Sequence, residues 1–103
     1  MSLSNQDGVK LLEEAASQLS KLSPQWPNRH KLDPITRGGL DLILKTLEPI
    51  WSSPENQRPP GLDATVFLRF IKHLREIGPK SSWSNHVEAM RTSLQQMIAK
   101  LER

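Results

Sequence analysis

The fold is decided by the stretch that reads, from residue 66 to 79, VFLRFIKHLREIGP. Its apolar residues recur at intervals of three and four, which is the spacing of one face of an α-helix. Asp63 precedes the stretch and is a favoured N-cap residue. Gly78 is expected to take the left-handed conformation that ends a helix, and Pro79 prevents the helix from resuming. The stretch therefore predicts an amphipathic helix whose apolar face consists of Val66, Phe67, Phe70, Ile71, Leu74 and Ile77.

A second helix is predicted at the start of the chain, from Ser4 or Asn5 to Leu22. Ser4 and Asp7 have the spacing of a capping box, in which each residue bonds the backbone of the other. The apolar residues again follow the helical period. They are Val9, Leu12, Ala15, Ala16, Leu19 and Leu22.

A third predicted helix begins at Asp33-Pro34, an N-cap followed by proline, and ends or bends at Pro49. Two adjacent glycines, Gly38 and Gly39, each cost roughly 1 kcal/mol against alanine inside a helix. They indicate either a close backbone contact or a later start near Leu40. The apolar stripe consists of Leu40, Leu44 and Leu47, with Ile43 beside it, and Ile50-Trp51 is expected to cover the core as an apolar plug.

The last predicted helix begins between Ser82 and Asn85, with Asn85 and Glu88 as a candidate capping pair. Its apolar residues step by 4, 3, 4, 3 and 4 and form a heptad seam, which fits a bundle helix as well as a coiled coil. The seam can be covered by the same chain or by a second copy. We name as candidate partner-binding residues Trp83, Met90, Leu94, Met97 and Leu101, with Val87 in the same seam.

These four segments are separated by proline-rich joints, and no alternating apolar and polar pattern of convincing strand length occurs. A chain of 103 residues corresponds to one domain, residues 1–103. The sequence therefore predicts an all-α domain, an up-and-down bundle of about four helices with proline-rich loops.

Residue types exclude most catalytic and cofactor chemistry. The chain has no cysteine, and its three histidines, His30, His73 and His86, lack the spacing of zinc ligands. It has neither a phosphate-binding glycine loop nor a nucleophile elbow. His73 raises the hypothesis of a phosphotransfer histidine, but the following residues lack the lysine-then-glycine spacing of such domains. We expect no enzyme activity, no metal, no cofactor and no small-molecule substrate.

The formal charge of +3 comes from 14 basic and 11 acidic residues. Two basic clusters stand out, and the simplest interpretation of both is a solvated surface. The alternative is contact with nucleic-acid phosphates. The first cluster is Arg29, Lys31, His30 and Arg37, and the second is Arg69, Lys72, His73 and Arg75, with Lys80 just after it.

The leading hypothesis is a non-enzymatic protein–protein interaction or assembly module, with self-association through the heptad seam. The alternative is a helical nucleic-acid-binding module or a small subunit of a nucleoprotein complex. No apolar run is long enough to span a bilayer. Residues 1–7 have neither the basic start nor the apolar stretch of a secretory signal, so we expect a cytoplasmic protein without membrane contact.

Overall fold

The computed structural model describes residues 2–102 and confirms an all-α fold. Helical residues make up 69% of the chain, and no strand occurs in the described part. Residues 2–102 contain five α-helices instead of about four, together with two 3-10 turns at Glu55–Gln57 and Lys80–Ser82. The helices are α1 (Asn5–Ser20), α2 (Pro34–Thr46), α3 (Glu48–Trp51), α4 (Ala64–Arg75) and α5 (Trp83–Leu101).

The four long helices form a closed ring in which α1 packs against α2 and α5, and α4 packs against the same two helices. The start of α1 lies at the end of α5, where Gly8 contacts Leu101. The end of α4 lies at the start of α5, where His73 bonds to His86. Leu22, just after α1, lies against the first half of α2. Neighbouring helices therefore run antiparallel, in an up-and-down bundle measuring 43 × 22 × 21 Å.

The core fills the inside of this ring with residues from every helix. Phe70 and Leu74 are fully buried at its centre, as their position on the most apolar predicted helix face led us to expect. Close packing of these side chains supplies most of the favourable free energy of folding. The other buried apolar residues are Leu12, Ala15, Leu19, Leu40, Ile43, Leu47, Ile50, Phe67, Ile71, Met90, Leu94, Met97 and Leu101.

The start of α1 is capped as the sequence predicts. The backbone N–H of Ser4 donates to the Asp7 carboxylate over 3.0 Å, and the backbone N–H of Asp7 donates to the Ser4 hydroxyl over 3.1 Å. These bonds satisfy donors that the first helical turn leaves free. The helix ends at Ser20, two residues before the predicted Leu22.

Both glycines lie inside α2, so the alternative start near Leu40 is wrong. The Asp33 carboxylate accepts the N-cap hydrogen bond from the first turn of the helix. Gly39 is explained by close contact, because a Cβ atom there would run into the side chain of Leu22. Gly38 has no such neighbour, since an added Cβ would meet nothing within 4 Å.

The chain turns after α2, where the predicted apolar plug forms the short helix α3. Pro49 cannot donate a backbone hydrogen bond, so α2 ends at Thr46 and α3 starts as a separate turn. Ile50 is fully buried. The indole N–H of Trp51 donates to the Leu44 carbonyl over 2.7 Å, which fixes the partly buried ring over the bundle.

The predicted glycine stop of α4 is wrong in its geometry. The helix ends at Arg75, and Pro79, which has no N–H to bond the carbonyl of Arg75, prevents it from resuming. Among the described residues no glycine has a positive φ angle, so Gly78 does not adopt the left-handed conformation. A residue that precedes proline prefers an extended backbone, which fits the position of Gly78 outside the helix.

The start of α5 lies within the predicted interval, but the predicted capping pair of Asn85 and Glu88 is wrong. The helix begins at Trp83, directly after a 3-10 turn. Ser82 therefore has a helical backbone conformation and makes no side-chain cap. Its hydroxyl donates instead to the Pro79 carbonyl over 2.8 Å.

Candidate functional site

The heptad seam of α5 lies inside the folded chain. Met90, Leu94, Met97 and Leu101 are at most 5% exposed, because α5 sits between α1 and α4. Trp83 is half-buried and packs edge-on against the ring of Trp26 at 6.3 Å between centroids. The seam is therefore filled by the chain's own core, which corrects the expectation that these side chains form a partner-binding surface.

The outer side of α2 carries two of the three exposed large apolar side chains among the described residues; the third is Leu68 on α4. Ile35 is 87% exposed and Leu42 is 51% exposed. They lie seven residues apart, so they share one side of the helix, with Gly38 between them. We call these three residues the α2 face. The spacing of Ile35 and Leu42 is present in the sequence, but the sequence analysis considered only the apolar stripe on the other side of the same helix.

Charged residues flank the α2 face. The guanidinium of Arg37 lies 3.5 Å from the carboxylate of Asp41, one helical turn further along. A groove of 670 Å³ separates α2 from α1, and its lining residues Lys10, Glu13, Glu14 and Lys21 carry charges of both signs. The α2 face is thus an apolar strip with polar edges, which is the anatomy of a small protein interface.

The basic residues predicted for nucleic-acid contact do not converge on α4. The guanidinium carbon of Arg75 lies 5.9 Å from the ring centre of Trp51, toward α3. Arg69 lines a groove between α4 and α5 together with the acidic Glu88. Lys72 is exposed and belongs neither to the contact with Trp51 nor to the lining of the groove with Glu88. Arg75 is therefore separated from Arg69 and Lys72, which both lie near His73.

The structure instead joins two segments that the sequence analysis treated as separate clusters. The backbone N–H of Lys80 donates to the carbonyl of Arg29 over 2.9 Å. The two residues border a cavity of 640 Å³, which we call the basic cavity; it is lined by Arg29, His30, Pro79, Lys80, Ser81 and Ser84. Lys31 lies in the adjoining turn, outside this lining, and Arg37 lies on α2.

His73 of α4 and His86 of α5 face each other across the bundle. Their Nδ1 atoms lie 2.9 Å apart, so one must donate and the other accept. Burial lowers the pKa of His73 below its usual 6.5, and the neighbouring His86, Arg69 and Lys72 lower it further, against a smaller opposite effect of Glu76. Because its Nδ1 is occupied in this pair, only the other ring nitrogen of His73 can meet a phosphoryl donor.

Neither a metal centre nor a membrane span is found in residues 2–102. No three histidine, aspartate or glutamate side chains come together there as metal ligands. No helix in this part of the chain is long and apolar enough to cross a bilayer. No protein-family model matches the chain, and no curated protein or solved structure is significantly similar to it.

Proposed function

We propose that this protein is an assembly module that pairs with a second copy of itself through the α2 face. The observation that supports this function is the combination of exposed Ile35 and Leu42 around an unfilled Gly38. Glycine inside a helix costs about 1 kcal/mol against alanine, and at Gly38 no contact within the chain requires it. A glycine on an exposed apolar strip allows another helix to approach closely.

The pattern of the α2 face is complementary to itself. Ile35 lies three residues before Gly38 and Leu42 lies four residues after it, on the same flank. In an antiparallel pair with the two-fold axis near Gly38, each Ile35 therefore lies beside Leu42 of the second copy. A two-fold interface needs this kind of pattern, because the same patch faces itself.

The charged residues on the opposite flank of the α2 face fit the same two-fold symmetry. Arg37 and Asp41 lie on one side of the helix. The two-fold rotation keeps them on that side but reverses their order, so each Arg37 faces Asp41 of the second copy. Opposite charges at the edge of an interface favour the correct register more than they add affinity.

We expect a weak dimer. Burying one isoleucine or leucine fully contributes roughly 1.5–3 kcal/mol. Four such side chains have to offset an association cost of about 4–15 kcal/mol. Because Leu42 is already half-buried, the gain and the cost are similar in size, so the dissociation constant should be on the order of 1 mM.

Sedimentation equilibrium between about 10 μM and 1 mM protein tests the proposal. The wild-type mass should rise from 11.7 kDa toward twice that value. Ile35→Glu should remain monomeric, because it places a charge in the apolar strip. Leu68→Glu is the matched control, since Leu68 is 55% exposed on α4 and should not affect the dimer. A wild-type protein that stays monomeric, or a control that dissociates equally, contradicts the proposal.

Nucleic-acid binding has weaker support as a function, because Arg69 and Arg75 lie on different sides of α4. A protein that docks on duplex DNA through three phosphates should lose affinity with salt at a logarithmic slope of about −2 to −3. Fluorescence anisotropy at physiological salt measures this. We expect no binding at tens of micromolar protein.

A further inference from the structure

The basic cavity brings together donors from two distant parts of the sequence. Arg29 and His30 come from the loop between α1 and α2, whereas Lys80 and Ser81 come from the 3-10 turn before α5 and Ser84 from the first turn of α5. Every titratable side chain in the lining is basic, and the two serines add hydroxyl groups. The cavity thus presents guanidinium, ammonium, imidazole and hydroxyl donors, without a carboxylate to neutralise them.

The two segments are held in place by backbone hydrogen bonds and by one aromatic contact. Lys80 bonds to Arg29 through the backbone, over 2.9 Å. The backbone N–H of His30 donates to the Asn28 side chain over 2.9 Å, which fixes the turn that carries both basic residues. The edge-on contact of Trp26 with Trp83 joins the same loop to α5. The backbone that carries the donors is therefore fixed before any ligand arrives, which lowers the entropy cost of binding.

We propose that the basic cavity binds the terminal phosphate group of a small phosphorylated ligand. A terminal phosphate carries close to two negative charges near pH 7 and three strong acceptor oxygens, which match the guanidinium, the ammonium and the further donors beside them. Arginine binds such a group through two parallel hydrogen bonds, and lysine adds a point charge.

A terminal phosphate fits the cavity better than a nucleic-acid backbone does. A backbone carries one charge per phosphate and needs a continuous track of cations for affinity. The arginines of α4 do not extend the cavity in this way, because Arg75 turns toward Trp51 and Arg69 toward the groove with Glu88. The cavity is therefore a local site for one highly charged group.

Two-dimensional amide NMR with pyrophosphate as the probe tests the proposal on the full chain. We expect saturable shifts at Lys80, Ser81 and Ser84, with inorganic phosphate binding the same site more weakly. Arg29→Gln combined with Lys80→Gln should weaken pyrophosphate binding by about tenfold or more per cation removed. The dispersed spectrum should persist, because both side chains are exposed and outside the core.

The control variant removes the same charge elsewhere, by Lys10→Gln with Arg91→Gln on the exposed sides of α1 and α5. It should bind pyrophosphate like the wild type. The reason is that salt screens distant surface charges, so the cations of the cavity and not the net charge of the protein hold the ligand. Equal loss in both double variants overturns the proposal, as do shifts that never saturate. A duplex oligonucleotide that binds the cavity more tightly than pyrophosphate would assign it to nucleic acid instead.

Discussion

Replacing Gly38 by alanine should change stability and association in opposite directions. In the monomer the added methyl group meets no atom within 4 Å, so the helix gains the propensity difference without a clash. This difference is about 1 kcal/mol, which corresponds to a rise in melting temperature of about 4–8 °C for a domain of this size. In the proposed dimer the same methyl lies on the two-fold axis, where it pushes the helices apart and weakens association.

Urea unfolding measures the gain in the free energy of unfolding, at a few micromolar protein so that the dimer is dissociated. Sedimentation equilibrium at high protein concentration measures the loss of association. Gly39→Ala is the control, because its methyl meets Leu22 within the monomer and should give a smaller gain or a loss. If Gly38→Ala lowers the stability of the dilute protein, the glycine has a role within one chain. If it raises stability but leaves association unchanged, α2 is not the interface.

Three further predictions concern the bundle itself. Phe70→Ala should lower the free energy of unfolding by about 3–5 kcal/mol in urea titrations, since the ring is fully buried, whereas Leu68→Ala should change it by under about 1 kcal/mol. Arg58→Ala should be destabilising by about 1–3 kcal/mol and Arg58→Lys should not restore it, because the guanidinium donates to the carbonyls of Ile50, Trp51 and Ser53 at the end of α3. Equal stability of Arg58→Ala and wild type would refute this role. The lowered pKa of His73 means that the unfolded chain binds the proton more readily. Stability should therefore be full above pH 6.5 and fall as the pH drops through 6.5 toward the folded-state pKa. His73→Gln should flatten this part of the pH profile, and an unchanged profile would contradict the assignment.

Helix positions were predictable from the sequence, because the signals that set them are local. The capping bonds at Ser4 and Asp33 and the break at Pro49 depend on residues within one helical turn. The left-handed conformation predicted for Gly78 is wrong. The cause is also local, because the proline that follows restricts the backbone of Gly78 to extended conformations.

The candidate surfaces were predicted less well, because they depend on what covers each helix face. The seam of α5 and the α2 face are both apolar patterns, and periodicity alone does not say which of them lies inside. Packing of α5 between α1 and α4 buries Met90 and Leu94, while Ile35 and Leu42 remain on the surface. The pairing of Arg29 with Lys80 joins residues 51 positions apart, which no local pattern encodes.

The sequence by itself determined the helical class of this protein, the approximate helix ends and the residues of the central core, since apolar period, caps and prolines act over a few residues. Only the tertiary structure decided which apolar strip reaches solvent, which cations share a cavity and that His73 meets His86. The physical reason is that each helix has more than one apolar or charged side. The free energy of burial is shared among all helices of the ring, so the choice of the covered side is made by the packed bundle as a whole.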